Sequence, residues 1–151
     1  MKLTKRGEYG LRALLALANV YGQRTLSLRE ISVQEKLPVK FLEQIMMVLK
    51  RNDLVDSVKG KHGGYSLSRP PGEITAGEII RAVDGPLAPI HTAREIERRI
   101  QREDCHAGLY SVLLDVRNAI SEILDHKTLA DICTKSLELA RCKPEKQMYY
   151  I

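Results

Sequence analysis

Along the first third of the chain, apolar positions recur at helical spacing and are broken by polar signals that start or stop a helix. Leu11, Leu14, Leu15 and Ala18 stand three and four apart, which predicts a first amphipathic core helix from about Gly7 to Tyr21. Ser27-Leu28-Arg29-Glu30 reads as a capping box: the serine hydroxyl accepts from the amide three residues on, and the glutamate reaches back. A second helix therefore starts near Leu28. It ends close to Lys36, because Pro38 disfavours helical geometry at Leu37 and suits the first turn of a new helix. The third helix runs from about Val39 to Arg51, with Leu42, Ile45, Met46 and Leu49 on its inner face and Lys40, Glu43, Gln44 and Met47 pointing elsewhere. A short helix, a tight turn and a longer helix with a polar outer face form a helix-turn-helix.

The period then changes. Leu54 to Val58 and Tyr65 to Ser68 are short strand-compatible runs, separated by Lys59-Gly60-Lys61-His62-Gly63-Gly64, whose glycines permit a hairpin loop with a basic tip. Pro70-Pro71-Gly72 closes this wing, and Thr75-Ala76-Gly77-Glu78 is a second capping box, opening a helix through Ile79, Ile80 and Val83. Beyond Asp84 the pattern loosens as far as Pro89 and resumes weakly at Ile96 and Ile100. It becomes strict at Leu109, Val112, Leu113, Val116, Ile120 and Ile123. Within that run Leu109, Leu113, Val116, Ile120 and Ile123 alternate steps of four and three, a narrow stripe that wants a partner helix. Thr128-Leu129-Ala130-Asp131 caps a last helix to about Arg141, and 144–151 reads as a tail.

The expected fold is mainly α: a winged helix-turn-helix with a small β-hairpin wing, plus a long dimerisation helix. Its divisions are a DNA-binding domain at 1–85, a sensor or linker loop region at 86–108, a dimerisation helix and C-terminal helix at 109–143, and the tail. Composition agrees, since one Phe, six Tyr and no Trp leave an aliphatic core suited to helix packing. The net charge of +5 is unevenly spread: residues 1–69 hold thirteen Lys and Arg against six Asp and Glu, a net of +7, which leaves −2 for the rest. The positive field thus lies on the half that carries the helix-turn-helix, where it attracts phosphate backbone. No apolar run of signal or membrane-spanning length occurs, so a cytoplasmic protein that does not enter membranes is expected.

Lys40, Glu43 and Gln44 near the start of the third helix are placed to reach base edges in the major groove, where Gln pairs with adenine and Glu accepts from the cytosine amino group. Phe41 belongs to the same candidate surface, as does Tyr65 at the wing. Lys59, Lys61 and His62 on the hairpin are placed for phosphates or the adjacent minor groove. Each residue type taken alone is equally at home on a solvated helix face or an ordinary charged hairpin. The order of helices, turn and basic wing is what favours DNA.

The opening Met1 to Tyr9, the run Phe41-Leu42-Glu43-Gln44-Ile45, then Leu54-Val55, Lys59-Gly60 and Gly63-Gly64-Tyr65-Ser66-Leu67 occur in sequence, followed by Glu78-Ile79-Ile80, Ala82-Val83-Asp84-Gly85 and Thr128 to Ile132. Together they resemble the Rrf-type winged-helix regulators, the family of the IscR, CymR and NsrR proteins, over nearly 1–133. The resemblance implies a homodimer with long crossed helices, a recognition helix at 39–51 and a wing whose Lys59 enters the minor groove. Many such regulators carry an iron–sulfur cluster on three cysteines before the dimerisation helix, sometimes completed by a His or by an acidic side chain near residue 8. Here the usual three-cysteine motif is absent. Between Ala88 and Leu109 the chain offers Cys105, with His91 and His106, while Cys133 and Cys142 lie in or after the last helix. Three readings of Cys105-His106 stay open: an ordinary surface thiol beside an imidazole, a thiol sensor, and an unusual metal or cluster site that adds His91 or His106 and Glu8 of a second subunit. Glu8 also suits a plain helix N-terminal charge, and Cys133 a small core residue.

The leading function is a homodimeric, sequence-specific transcription regulator that binds a palindromic operator in double-stranded DNA and responds to a redox, thiol or iron–sulfur signal. The alternatives are a cluster-free regulator controlled by a protein or metabolite, and a protein-binding module with incidental DNA binding. Catalysis by Cys105 lacks a third orienting residue, so no enzyme is expected. The short, proline-bearing approach from Gly85 to Pro89 is read as a candidate hinge for exchange between subunits.

Overall fold

The computed structural model describes residues 3–87, 92–102 and 105–142. Pro89 of the hinge reading, His91 of the metal reading and the tail at 144–151 lie outside the described residues. Helix α1 spans Lys5–Asn19 and is capped by the Thr4 hydroxyl, which accepts from the Gly7 amide at 3.2 Å. The centre of its inner face is made of Gly7, Gly10, Ala13, Leu14, Ala16 and Leu17. Leu11, Leu15 and Ala18, which periodicity alone places inward, flank that face and are half-buried against the core. The reason is steric. A Cβ at Gly10 would lie 3.1 Å from Cγ2 of Val83, so small residues let α4, Ala76–Asp84, approach the α1 backbone. The same two helices are joined at their ends, where the Thr4 amide and hydroxyl both donate to the Asp84 carboxylate.

Helix α2, Leu28–Glu35, carries both halves of its capping box: the Glu30 amide donates to Ser27 Oγ at 3.2 Å, and the Ser27 amide donates to Glu30 Oε2 at 2.7 Å. It stops at Lys36, which takes the left-handed conformation with φ 55°, and the Leu37 amide donates back to the Ser32 carbonyl at 2.9 Å. Pro38 then caps α3, Val39–Arg51. Strands β1, Val55–Val58, and β2, Gly64–Leu67, pair antiparallel with Val55 opposite Leu67 and Val58 opposite Gly64. A 3₁₀ turn at Pro71–Glu73 leads to α4, whose Thr75–Glu78 capping box is also complete. One core joins these elements, with Leu14, Leu26, Ile31, Leu42, Ile45, Met46, Leu49, Ile74 and Ile79 at 0% exposure.

Three further helices follow: α5 Ala93–Gln101, α6 Ala107–Asp125 and α7 Leu129–Arg141. Helix α5 lies inside the stretch read as linker loop. Thr92 caps it and Ile96 is fully buried, but arginine and glutamate dominate its sequence, so its apolar period is carried by Ile96 and Ile100 alone. It packs along α6, where Arg99 donates to the Tyr110 hydroxyl at 2.7 Å and stacks over the same ring. The turn from α6 to α7 is stitched to the start of α4: the Ala76 amide donates to the Lys127 carbonyl at 2.8 Å, and the Leu129 amide to the Ile74 carbonyl at 2.9 Å. Beside this stitch, Arg81 grips Asp125 with both terminal guanidinium nitrogens, at 2.6 and 2.7 Å. Among the described residues no helix is long and apolar enough to cross a membrane.

Candidate nucleic-acid interface

Helix α3 is divided cleanly by burial. Leu42, Ile45, Met46 and Leu49 are at 0% exposure, which fixes the helix by about 1.5–3 kcal/mol per fully buried side chain. The opposite face leaves Lys40, Glu43 and Gln44 exposed, together with Val39 and Met47. Lysine, glutamate and glutamine thus project from the first two turns of a helix whose roll about its axis is held by the core. Phe41 stands apart: it is half-buried, its ring edge-on to Tyr9 at 5.7 Å and 87°. That contact braces the start of α3 on α1.

The wing is anchored at three points. Its base is extended by a bridge in which the Leu26 amide donates to the Tyr65 carbonyl at 3.0 Å and the Tyr65 amide to the Leu26 carbonyl at 2.7 Å. Its tip is tied by the Thr25 hydroxyl, which donates to the His62 carbonyl at 3.1 Å. Its first strand meets α3 where Lys50 Nζ donates to Ser57 Oγ. The turn itself needs glycine at Gly60, with φ 118°, and at Gly63, where a Cβ would collide with the Val58 carbonyl oxygen. Lys59, Lys61 and His62 are exposed on this tip, whereas Tyr65 is half-buried and packs against the core. Sequence reasoning missed Thr25 and Lys50. Neither has a local signature, since each acts across 37 or 7 residues on a partner that only the fold supplies.

Within the single chain, the described metal candidates lie on separate elements. Cys105 and His106 are exposed just ahead of α6; Cys133 is half-buried in α7, where burial pushes its thiol up from the ordinary value and disfavours thiolate; and Cys142 caps the end of α7. Glu8 lies in the first turn of α1, 3.7 Å from Arg12, which also reaches Glu35 Oε2 at 3.4 Å. Among the described residues no three His, Cys, Asp or Glu side chains gather as a metal site. The donor set therefore does not fit a cluster held on three thiolates of one chain.

The predicted dimer stripe divides on α6. Leu109, Val116 and Ile123 are 57%, 51% and 61% exposed and are joined by Val112 at 58%, while Leu113 and Ile120 are half-buried within the chain. Not one of the nineteen residues of α6 is buried.

Residues 3–135 match the family described as "Rrf2: Iron-dependent Transcriptional regulator". The HTH-type transcriptional regulator CymR of Bacillus subtilis (strain 168) is 34% identical over 151 residues, the whole of both chains. The solved structure of CymR (YrzC), the global cysteine regulator of B. subtilis, superposes with a TM-score of 0.77 at 33% identity, covering 89% of this chain and 98% of that one. T. potens IscR does so with a TM-score of 0.72 at 33% identity, covering 99% and 97%. The architecture matches the winged helix of those proteins. These relatives are transcriptional regulators and not enzymes, which removes the catalytic reading of Cys105.

Proposed function

Because the chain belongs to the Rrf2 family of transcriptional regulators, we propose that it works in the cytoplasm as a homodimer that binds a palindromic operator. The observation that carries this reading is the pairing of two faces: the polar face of α3 beside a basic, three-point-anchored wing, and the uncovered apolar face of α6. In this reading Glu43 and Gln44 read bases, Lys40 steadies the helix on the adjoining backbone, and Lys59, Lys61 and His62 follow the phosphates or the minor groove. Phe41 and Tyr65 support the surface from behind. The α6 helices of two chains cover each other along Leu109, Val112, Val116 and Ile123, so the symmetry of the dimer imposes that of the operator.

The signal enters through the region ahead of α6. Cys105 is the exposed thiol there, and its oxidation or mixed disulfide formation would act at the dimer helix. Selection of duplexes from a random pool, with sedimentation of the free and bound protein, tests the core of the proposal. A two-fold symmetric consensus bound by a dimer supports it; binding without preference over random duplex sinks it in favour of a protein-binding module. Repeating the binding with and without peroxide, on the natural chain and on Cys105→Ala, tests the thiol reading. An oxidant effect that survives the substitution excludes Cys105 as the sensor.

A further inference from the structure

We infer that Arg81 and Asp125, closed over Gly77, are positioning residues that fix the angle between the dimer helix α6 and the reading head, and so the half-site spacing the protein accepts. The inference rests on the dimeric reading above. Two different kinds of contact hold the C-terminal end of α6 to α4. The first is the pair of backbone hydrogen bonds from Ala76 to Lys127 and from Leu129 to Ile74, flanking the bridge between Thr75 and Thr128. These bonds, with Leu129 buried beside them, pin the turn at the foot of α6, and a rod pinned at one point is opposed by that pin only weakly in a swing about it. The second is the two-pronged grip of Arg81 on Asp125, two residues before that point, which opposes the swing.

Gly77 shows how closely the grip is built. A Cβ there would collide with Asp125 Oδ1 and crowd Arg81 Nη1 at 3.1 Å, so a side chain at this position would have to push the carboxylate out of its place against Arg81. Arg81 also lines a shallow groove with Asn52, the residue that caps α3, and with Leu54 at the start of the wing. The same side chain thus touches the α6 end and borders the far end of the recognition helix. The hydrogen bonds from Arg81 hold the Asp125 carboxyl below its ordinary value, so the pair is charged at neutral pH.

Leverage makes a small joint decisive. A helix of nineteen residues is about 28 Å long at 1.5 Å per residue. A swing of about 10° at one end moves the other by about 5 Å, more than the roughly 3.4 Å rise of a DNA base pair. Two heads joined through two such helices would then meet half-sites one or more base pairs further apart or closer together.

The test uses the full chain and a duplex selected from a random pool, rebuilt as a series whose half-sites are separated by one base pair more or fewer at each step, plus a single half-site. The natural protein should prefer one spacing by about tenfold over its neighbours. Asp125→Asn, Arg81→Lys and Gly77→Ala should each flatten that preference to within about threefold, with the dimer intact by sedimentation and single half-site affinity unchanged. Lysine cannot reproduce the two-pronged grip, which is why that exchange belongs with the other two. A spacing profile as sharp as that of the natural protein in all three variants would overturn the inference alone. A natural protein that sediments as a monomer on DNA would overturn the dimeric reading and this inference with it.

Discussion

Helices α3 and α6 are both amphipathic, but they use their apolar faces differently. In α3, Leu42, Ile45, Met46 and Leu49 are at 0% exposure, all covered by the same chain. In α6, Leu109, Val112, Val116 and Ile123 stand 51% to 61% exposed, while the adjoining face, with Leu113 and Ile120, is half-buried, and the helix packs on α5 and touches α4. Ordering a helix costs conformational entropy that burial must offset. Helix α3 meets that cost within the head, and α6 meets only part of it. Helix α3 is therefore ordered by a core that its own chain completes, Leu129 of α7 included, whereas the open face of α6 depends on what covers it.

The comparison is most strongly tested in the core. Leu42→Ala should destabilise the head by about 2–5 kcal/mol, read as a lowered denaturant midpoint, because it leaves a cavity under α3. Val116→Asp should leave the head's midpoint in place but convert the dimer to monomer in sedimentation at micromolar concentration. Affinity for a two-half-site duplex would then fall by about a hundredfold as the linked second contact is lost. If both variants lower the midpoint equally, the two helices do not differ as described.

The next effects are on the proposed DNA face. Gln44→Ala should lose about 1–3 kcal/mol of discrimination at one base position, measured against single-base operator variants. Lys61→Ala should weaken every sequence alike and reduce the salt dependence of binding by about one contact. A loss of sequence preference with Lys61→Ala, or a uniform loss with Gln44→Ala, would exchange the roles of helix and wing.

The smallest effect is on acid stability. The Ser27 amide, with Arg24, holds the Glu30 carboxyl at about 2, below its ordinary 4.5. In the unfolded chain this carboxyl takes up a proton first. Its contribution to folding is therefore complete above the unfolded value and is lost as pH falls from there toward about 2. Thermal midpoints followed from pH 5 to about 3 should drop less steeply in Glu30→Gln than in the natural chain.

The head was largely legible because its signals are local. Ser27 and Glu30, Pro38, Thr75 and Glu78, and the wing glycines each declare a start, a stop or a turn within a few residues. The inner face of α1 was less so, since Gly10 and Ala13 carry little apolar signal, and Gly10 matters because Val83 comes so near. On α6, periodicity gives two overlapping stripes but cannot say which one the chain covers for itself. Half-burial of Leu113 and Ile120 hands the open face to Val112 and its neighbours. Arg81 and Asp125 are 44 residues apart, and no spacing rule connects them. The base-reading and phosphate candidates were legible as an exposed set, whereas the bracing roles of Phe41, Thr25 and Lys50 depend on partners that folding brings together.

The tie between Thr4 and Asp84 also bears on how the protein is made. The first helix of the head is finished only by the last, so a chain still on the ribosome cannot close its head until about residue 84 has emerged. At about 5–20 residues per second, the helix-turn-helix and its wing wait for seconds with their core open. The α6 helix is synthesised afterwards, followed by Leu129, the last residue of the same core. Protease digestion of ribosome-bound chains of increasing length should show protection of the head setting in only past Asp84, and protection by residue 70 would mean that the α1–α4 closure is dispensable.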